Sequence, residues 1–225
     1  MLKPSSLIAC GVLLLTSCGG PAETSRSSNP EPYQAPTYCL GDTWIYRVGE
    51  NFDPMTHSVL RVADGLVEMD ARTIDYCLGC RMIFDRTLVL QQTLRADGTP
   101  LPGSEERKFY EFPLTVGKTW QYSIKRGWDL AGAPRNGSGR LVESTTFVEA
   151  YEDVTVPAGT FSAFRIRTDL IASELGFRLQ YGAPRWSERR WFAPAVKWVV
   201  KFQTASPYPP GKDWELSSYS LGCPP

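Results

Sequence analysis

The chain has 225 residues, with 24 basic and 24 acidic side chains and a formal net charge of +0. Phosphate binding needs a basic excess that this balance lacks, so nucleic acid is not expected as a partner. Seven tryptophans, ten tyrosines and ten phenylalanines supply ample material for a core.

At the N-terminus Lys3 precedes an apolar run from Leu7 to Leu15, which leads into Leu15-Thr16-Ser17-Cys18. The run is about half the ~20 residues that a membrane span requires, so residues 1–17 read as a cleaved signal peptide. The Leu-Thr-Ser-Cys box resembles the bacterial lipoprotein signal, and that resemblance implies acylation of Cys18 after cleavage. Three acyl chains, each contributing ~0.8 kcal/mol per buried methylene, make such an anchor effectively permanent. By the sorting logic of the lipoproteins it resembles, Gly19 rather than Asp after the cysteine implies the outer membrane, facing the periplasm. The membrane, held through Cys18, is therefore the first expected partner.

Residues 18–37 comprise the lipidated cysteine and a stretch rich in Gly, Ser and Pro, from Gly19 to Thr37, with few apolar side chains. Such a segment cannot offset its ordering entropy by burial and reads as a tether of ~24 Å root-mean-square reach. It is expected to hold the folded part clear of the headgroups. Residues 38–225 read as one β-rich envelope domain.

Within it, period-two alternation predicts half-buried strands. Phe164, Ile166, Thr168 and Leu170 alternate with Arg165, Arg167 and Asp169. Val196, Trp198, Val200 and Phe202 alternate with Lys197, Val199, Lys201 and Gln203, which places Lys197 on a solvated face. Asp64-Gly65, Asp97-Gly98 and Asn136-Gly137 supply hairpin turns between such runs. The expected fold is all-β, a single curved antiparallel sheet arranged as a half-barrel or open-barrel meander with few or no helices. A short helix between Cys77 and Leu90 is the alternative there, since Met82, Arg86 and Leu90 also fit a helical stripe.

One octet recurs: Gly41-Asp42-Thr43-Trp44-Ile45-Tyr46-Arg47-Val48 and Gly117-Lys118-Thr119-Trp120-Gln121-Tyr122-Ser123-Ile124. In each copy the Trp, the Tyr and the last aliphatic residue share a face. A repeat of eight residues in which Gly, Thr, Trp and Tyr match predicts two similar edge-to-core strands rather than a duplicated half-sheet. Gly117 to Tyr122, Val154 to Phe161 and Trp191-Phe192-Ala193-Pro194-Ala195-Val196 together resemble the recurring blocks of the TapB-like bacterial envelope lipoproteins. These are similar in outline to the curved half-barrels of LolA and LolB, which implies a fold and a cellular place but little chemistry.

With Cys10 in the signal and Cys18 acylated, Cys39, Cys77, Cys80 and Cys223 remain. An oxidising compartment predicts two disulfides with three possible pairings, and Cys39 with Cys223 and Cys77 with Cys80 is preferred. A redox role for Cys77-Leu78-Gly79-Cys80 would need a helix N-terminus to lower a thiolate pKa, and no strand-to-helix unit is evident. Zinc would need further paired ligands, so no metal is expected, nor any cofactor. The single histidine, His57, sits in Asp53-Pro54-Met55-Thr56-His57, which reads as a loop entering a strand with the imidazole exposed, and this weighs against hydrolytic chemistry. Glu105-Glu106 and Glu152-Asp153 read as solvated strand edges, and Arg185, Arg189 and Arg190 around Trp186 and Trp191 as a solvated face.

No catalytic residues are expected. The function expected is binding, either of an apolar ligand in a half-barrel lined by Trp44, Trp120, Trp191 and Trp198 or of an envelope protein. The alternatives are a structural subunit of an envelope complex and a thiol-redox domain using Cys77 and Cys80.

Overall fold

Alternation along the chain resolves into twelve antiparallel strands in one sheet. The computed structural model describes residues 30–49, 54–71, 79–101, 107–126, 140–174, 185–205 and 213–225. The signal peptide, Cys18, most of the tether, Cys77, Glu105-Glu106 and Asn136-Gly137 lie outside the described residues.

The first six strands are β1 (Thr43–Val48), β2 (Met55–Ala63), β3 (Leu66–Ala71), β4 (Arg81–Asp85), β5 (Val89–Leu94) and β6 (Arg107–Lys108). The second six are β7 (Thr119–Arg126), β8 (Arg140–Val156), β9 (Gly159–Glu174), β10 (Arg185–Ala193), β11 (Trp198–Ala205) and β12 (Trp214–Ser220). Each run is a meander, and β1 pairs with β12 to join them. The two remaining edges, β6 and β7, come into contact, so the curved sheet is nearly closed. The region where a helix was the alternative forms β4 and β5, with a turn at 86–88 between them.

The recurring octets open the two meanders at equivalent points. Gly41 and Gly117 have φ of 87° and 88°, a left-handed conformation that glycine adopts without a Cβ penalty. Gly41 N donates to Val59 O and Val59 N to Asp42 O; Gly117 N donates to Val148 O and Val148 N to Lys118 O. Each octet therefore turns the chain and sets the register of its strand with the next one. Trp44, Tyr46 and Val48 then face the core, as does Trp120.

Asp64-Gly65 forms the expected tight turn between β2 and β3, with φ of 54° and 77°. Asp97-Gly98 lies in a wider turn closed by Arg95 N donating to Thr99 O. Because consecutive strands are antiparallel neighbours, their connections alternate between the two ends of the barrel. The turns 64–65, 86–88, 157–158 and 194–197 fall at one end, together with the connection 109–118. The chain enters β1 and leaves β12 at this end too, which is called here the terminal end.

That end is plugged by residues that precede β1. Tyr33 exchanges backbone hydrogen bonds with Leu114, at 3.0 and 2.7 Å, and its ring packs on Phe112, Phe164 and Phe192. Among the described residues, packing thus extends upstream of Tyr38 to Tyr33. The sequence underestimates this because an isolated tyrosine among prolines shows no periodicity. Cys39 and Cys223 form the expected disulfide, 184 residues apart in sequence.

Replacing both cysteines, Cys39→Ser with Cys223→Ser, releases this long loop in the unfolded chain and is expected to lower stability by up to ~5 kcal/mol in the chain-entropy account. Urea denaturation of the two forms measures it, and an unchanged midpoint would show that the bond adds nothing.

Candidate functional site

The four tryptophans expected to line one pocket divide among three places. Trp44 on β1 is fully buried and its ring lies 5.7 Å from that of Trp198 on β11. Trp120 on β7 sits at the β6/β7 seam and donates its indole N–H to Lys108 O at 3.0 Å. Trp191 is buried too, but on the face of β10 opposite to Phe192: its cross-strand partners are Arg165 and Lys201, while Phe192 pairs with Phe164. Its indole donates to Glu152 Oε1 at 2.9 Å. Only Trp44 and Trp198 meet, and the four do not form a common lining.

The reason lies in the ladder between β11 and β12, which among the described residues has two partner pairs, Lys201 with Glu215 and Phe202 with Trp214. Upstream of Lys201 the strand leaves β12, and its carbonyls require other donors, since an unpaired buried carbonyl costs about 1–3 kcal/mol. Trp44 Nε1 donates to Val196 O at 2.8 Å, Tyr38 OH to Lys197 O at 2.6 Å and Tyr46 OH to Val199 O at 2.9 Å. On the other side, the β8–β9 turn reaches β12: Ala158 N donates to Leu216 O at 3.0 Å, and Phe161 packs on Tyr219. Buried aromatic rings thus serve as hydrogen-bond donors where backbone pairing is interrupted.

Lys197 is placed otherwise than the alternation predicts. A 3-10 turn at Pro194–Val196 and a left-handed φ of 61° at Lys197 break the period, and the side chain is 1% exposed. Its ammonium donates to Asp42 Oδ2 at 3.1 Å, to Thr37 O at 3.2 Å and to Cys223 O at 2.9 Å. Asp42, itself fully buried, also accepts from Cys39 N and Gly222 N. The pair and the disulfide together tie the plug, β1, the β10–β11 turn and the C-terminus into one knot.

His57 is also corrected: it lies in β2 and faces the core between Met55 and Val59, not in an exposed loop. Tyr46 and Trp198 pack on its ring at 5.4 and 6.2 Å, and neither ring nitrogen has a hydrogen-bond partner. The alternation of Met55, His57 and Val59 was the available signal. Burial lowers its pKa from the ordinary 6.5 to about 4.

The arginine cluster splits. Arg185 and Arg189 are exposed, whereas Arg190 turns inward, pairs with Glu188 and lies over Phe109 and Phe202. Outside the barrel, Glu149 meets Arg165, Arg167 and Arg189 at 3.0, 3.3 and 3.6 Å, and Arg165 also pairs with Glu152. Beside this network a shallow open groove of about 850 Å³ crosses β7 to β10. It is edged by the cross-strand rows Gln121-Thr145-Asp169-Ser187 and Ser123-Glu143-Ile171-Arg185. This outer face offers hydrogen bonds and charge of both signs. Cys80 is buried and disulfide-bonded, and Cys77, its expected partner, lies outside the described residues.

No protein-family model and no curated protein matches the chain. Among solved structures, a candidate lipoprotein from Parabacteroides distasonis superposes with a TM-score of 0.46 at 10% identity, over 85% of this chain and 100% of that one. The hypothetical lipoprotein YmcC of Escherichia coli gives 0.43 at 10% identity, over 83% of this chain and 90% of that one. An exported protein of YmcC-like fold from Bacteroides fragilis gives 0.38 at 11% identity, over 84% and 99%. None of the three is described as TapB-like or as a relative of LolA or LolB. At these scores the likeness carries no functional assignment.

Two outcomes follow from the buried groups. Lys197→Met leaves the Asp42 carboxylate buried without its cation and is expected to cost about 3–5 kcal/mol, read as a lower urea midpoint. Since the folded state of His57 takes up a proton less readily than the unfolded chain, its contribution to stability is intact above pH 6.5 and is lost as pH falls toward about 4. The loss amounts to roughly 3 kcal/mol, and denaturation curves of His57→Phe across that window should be flatter than those of the parent.

Proposed function

We propose that the chain is a bacterial envelope lipoprotein, anchored by acylated Cys18 in the outer membrane and facing the periplasm, that binds a protein partner on its outer surface without catalysis. The placement rests on the leader and its Leu-Thr-Ser-Cys box. The mode of binding rests on one observation, the aromatic packing that fills the interior toward the terminal end among the described residues. Tyr38, Trp44, Phe84 and Tyr110 all pack on Trp198, and Tyr110 packs in turn on Phe192.

An acyl chain inside the barrel would have to displace side chains whose N–H and O–H groups satisfy Val196, Lys197 and Val199. That reading, built on Trp44, Trp120, Trp191 and Trp198, is therefore the less favoured one. The outer groove and the ion network around Glu149 suit a polar protein surface, because rim charges steer and orient association. A structural subunit of an envelope complex would use the same face.

Native mass spectrometry of the mature chain, extracted gently in detergent, tests this. The expected mass is the polypeptide with covalent acyl groups on Cys18 and nothing further. An additional apolar molecule that stays bound until denaturation would overturn the external mode and restore the enclosed-ligand reading.

A further inference from the structure

The large hydrophobic side chains exposed among the described residues are Leu40, Leu60, Val62, Leu66 and Tyr219. All five belong to the terminal end of the barrel. Leu40 lies in the turn before β1 and is 69% exposed. Leu60 and Val62 lie in the last half of β2, Leu66 opens β3, and Tyr219 is near the close of β12. Leu66 is adjacent to the β2–β3 turn, and the backbone of Val59, next to Leu60, accepts a hydrogen bond from Gly41, next to Leu40.

The cations beside this rim suit a lipid surface. Arg61 is exposed and only loosely paired, at 3.7 Å, with a still more exposed Asp64. The Arg86 side chain lies against the β2–β3 turn at Gly65 and is exposed. Apolar side chains flanked by arginines match the boundary between acyl chains and anionic headgroups.

The anchor enters at the same end. Tyr33 is locked to Leu114, so residues 19–32 alone separate it from Cys18, a span of at most about 50 Å even when fully extended. A linker this short raises the effective concentration of its attached domain at the surface to about the millimolar range, enough for a weakly apolar patch to engage.

We infer that the terminal end of the barrel rests on the bilayer, with Leu40, Leu60, Val62 and Leu66 in the headgroup boundary and the opposite end directed away from the membrane. This rests on the reading of Cys18 as acylated. It replaces the expectation that the folded part stands clear of the headgroups, since the docked segment from Tyr33 shortens the tether. A second copy of the chain would cover the same rim, but the anchor places a bilayer there first.

The test uses the full mature acylated chain in vesicles of phosphatidylethanolamine and phosphatidylglycerol with brominated acyl chains. An environment-sensitive fluorophore is attached through Leu66→Cys or, as the control at the opposite end, through Ala205→Cys. Loss of emission at Leu66 with none at Ala205 is the expected result. Emission retained at Leu66 in protein that floats with the vesicles would overturn the docked orientation and leave the anchor standing. Protein that fails to float would remove the acylation reading and the inference with it. A quenched Leu66 label that regains its emission when Leu40→Asp and Leu60→Asp are added would show that the apolar rim, beyond the tether, makes the contact.

Discussion

The backbone carbonyls of the β10–β11 turn and of the start of β11, where the chain is not paired with β12, set the terms for the rest of this structure. A barrel wall tolerates such a breach only if each stranded acceptor finds a donor away from water. Tyr38, Trp44 and Tyr46 provide those donors, and to reach Val196, Lys197 and Val199 their rings must cross the interior. Filling the barrel and closing it are therefore one task performed by the same side chains. Trp120 does the corresponding work at the β6/β7 seam with a single hydrogen bond to Lys108.

The buried ion pair belongs to the same economy of acceptors. Taking an ammonium and a carboxylate out of water costs several kcal/mol per ion, so the pair persists only where the ammonium protons and both carboxylate oxygens are engaged. Lys197 and Asp42 meet that condition by drawing on the backbone at Thr37, Cys39, Gly222 and Cys223. The pair fixes one arrangement of four chain segments, which the disulfide then makes covalent.

The fold class was legible in the sequence because period-two alternation and the Asp64-Gly65 turn survive wherever strands are regular. The Cys39–Cys223 bond was legible from cysteine parity and compartment. What escaped lies at irregularities. Register shifts near Ile45, Val59, Ile83, Val148 and Trp191 displace the alternation locally, and a side chain's face cannot be read through them from one strand alone. Trp191 was thus grouped with the interior although Phe192 occupies it. Lys197 looked like a solvated strand residue because nothing in its neighbours announces a left-handed turn that carries it inward. The octets were legible as two similar strands, while their place at the head of two six-strand meanders emerged only from the sheet order.

The closeness of the start of β1 to the end of β12 also determines how the molecule carries load. Tension applied through the segment that precedes Tyr33 meets two backbone hydrogen bonds there, which resist it in parallel with packed rings. Should that clasp yield, the pull passes along the plug to Cys39 and across the covalent bond to Cys223, so it is shared between the adjacent strands β1 and β12. The first strand of the barrel cannot be peeled away alone, and the fold is built like a strap riveted at both ends to the same post.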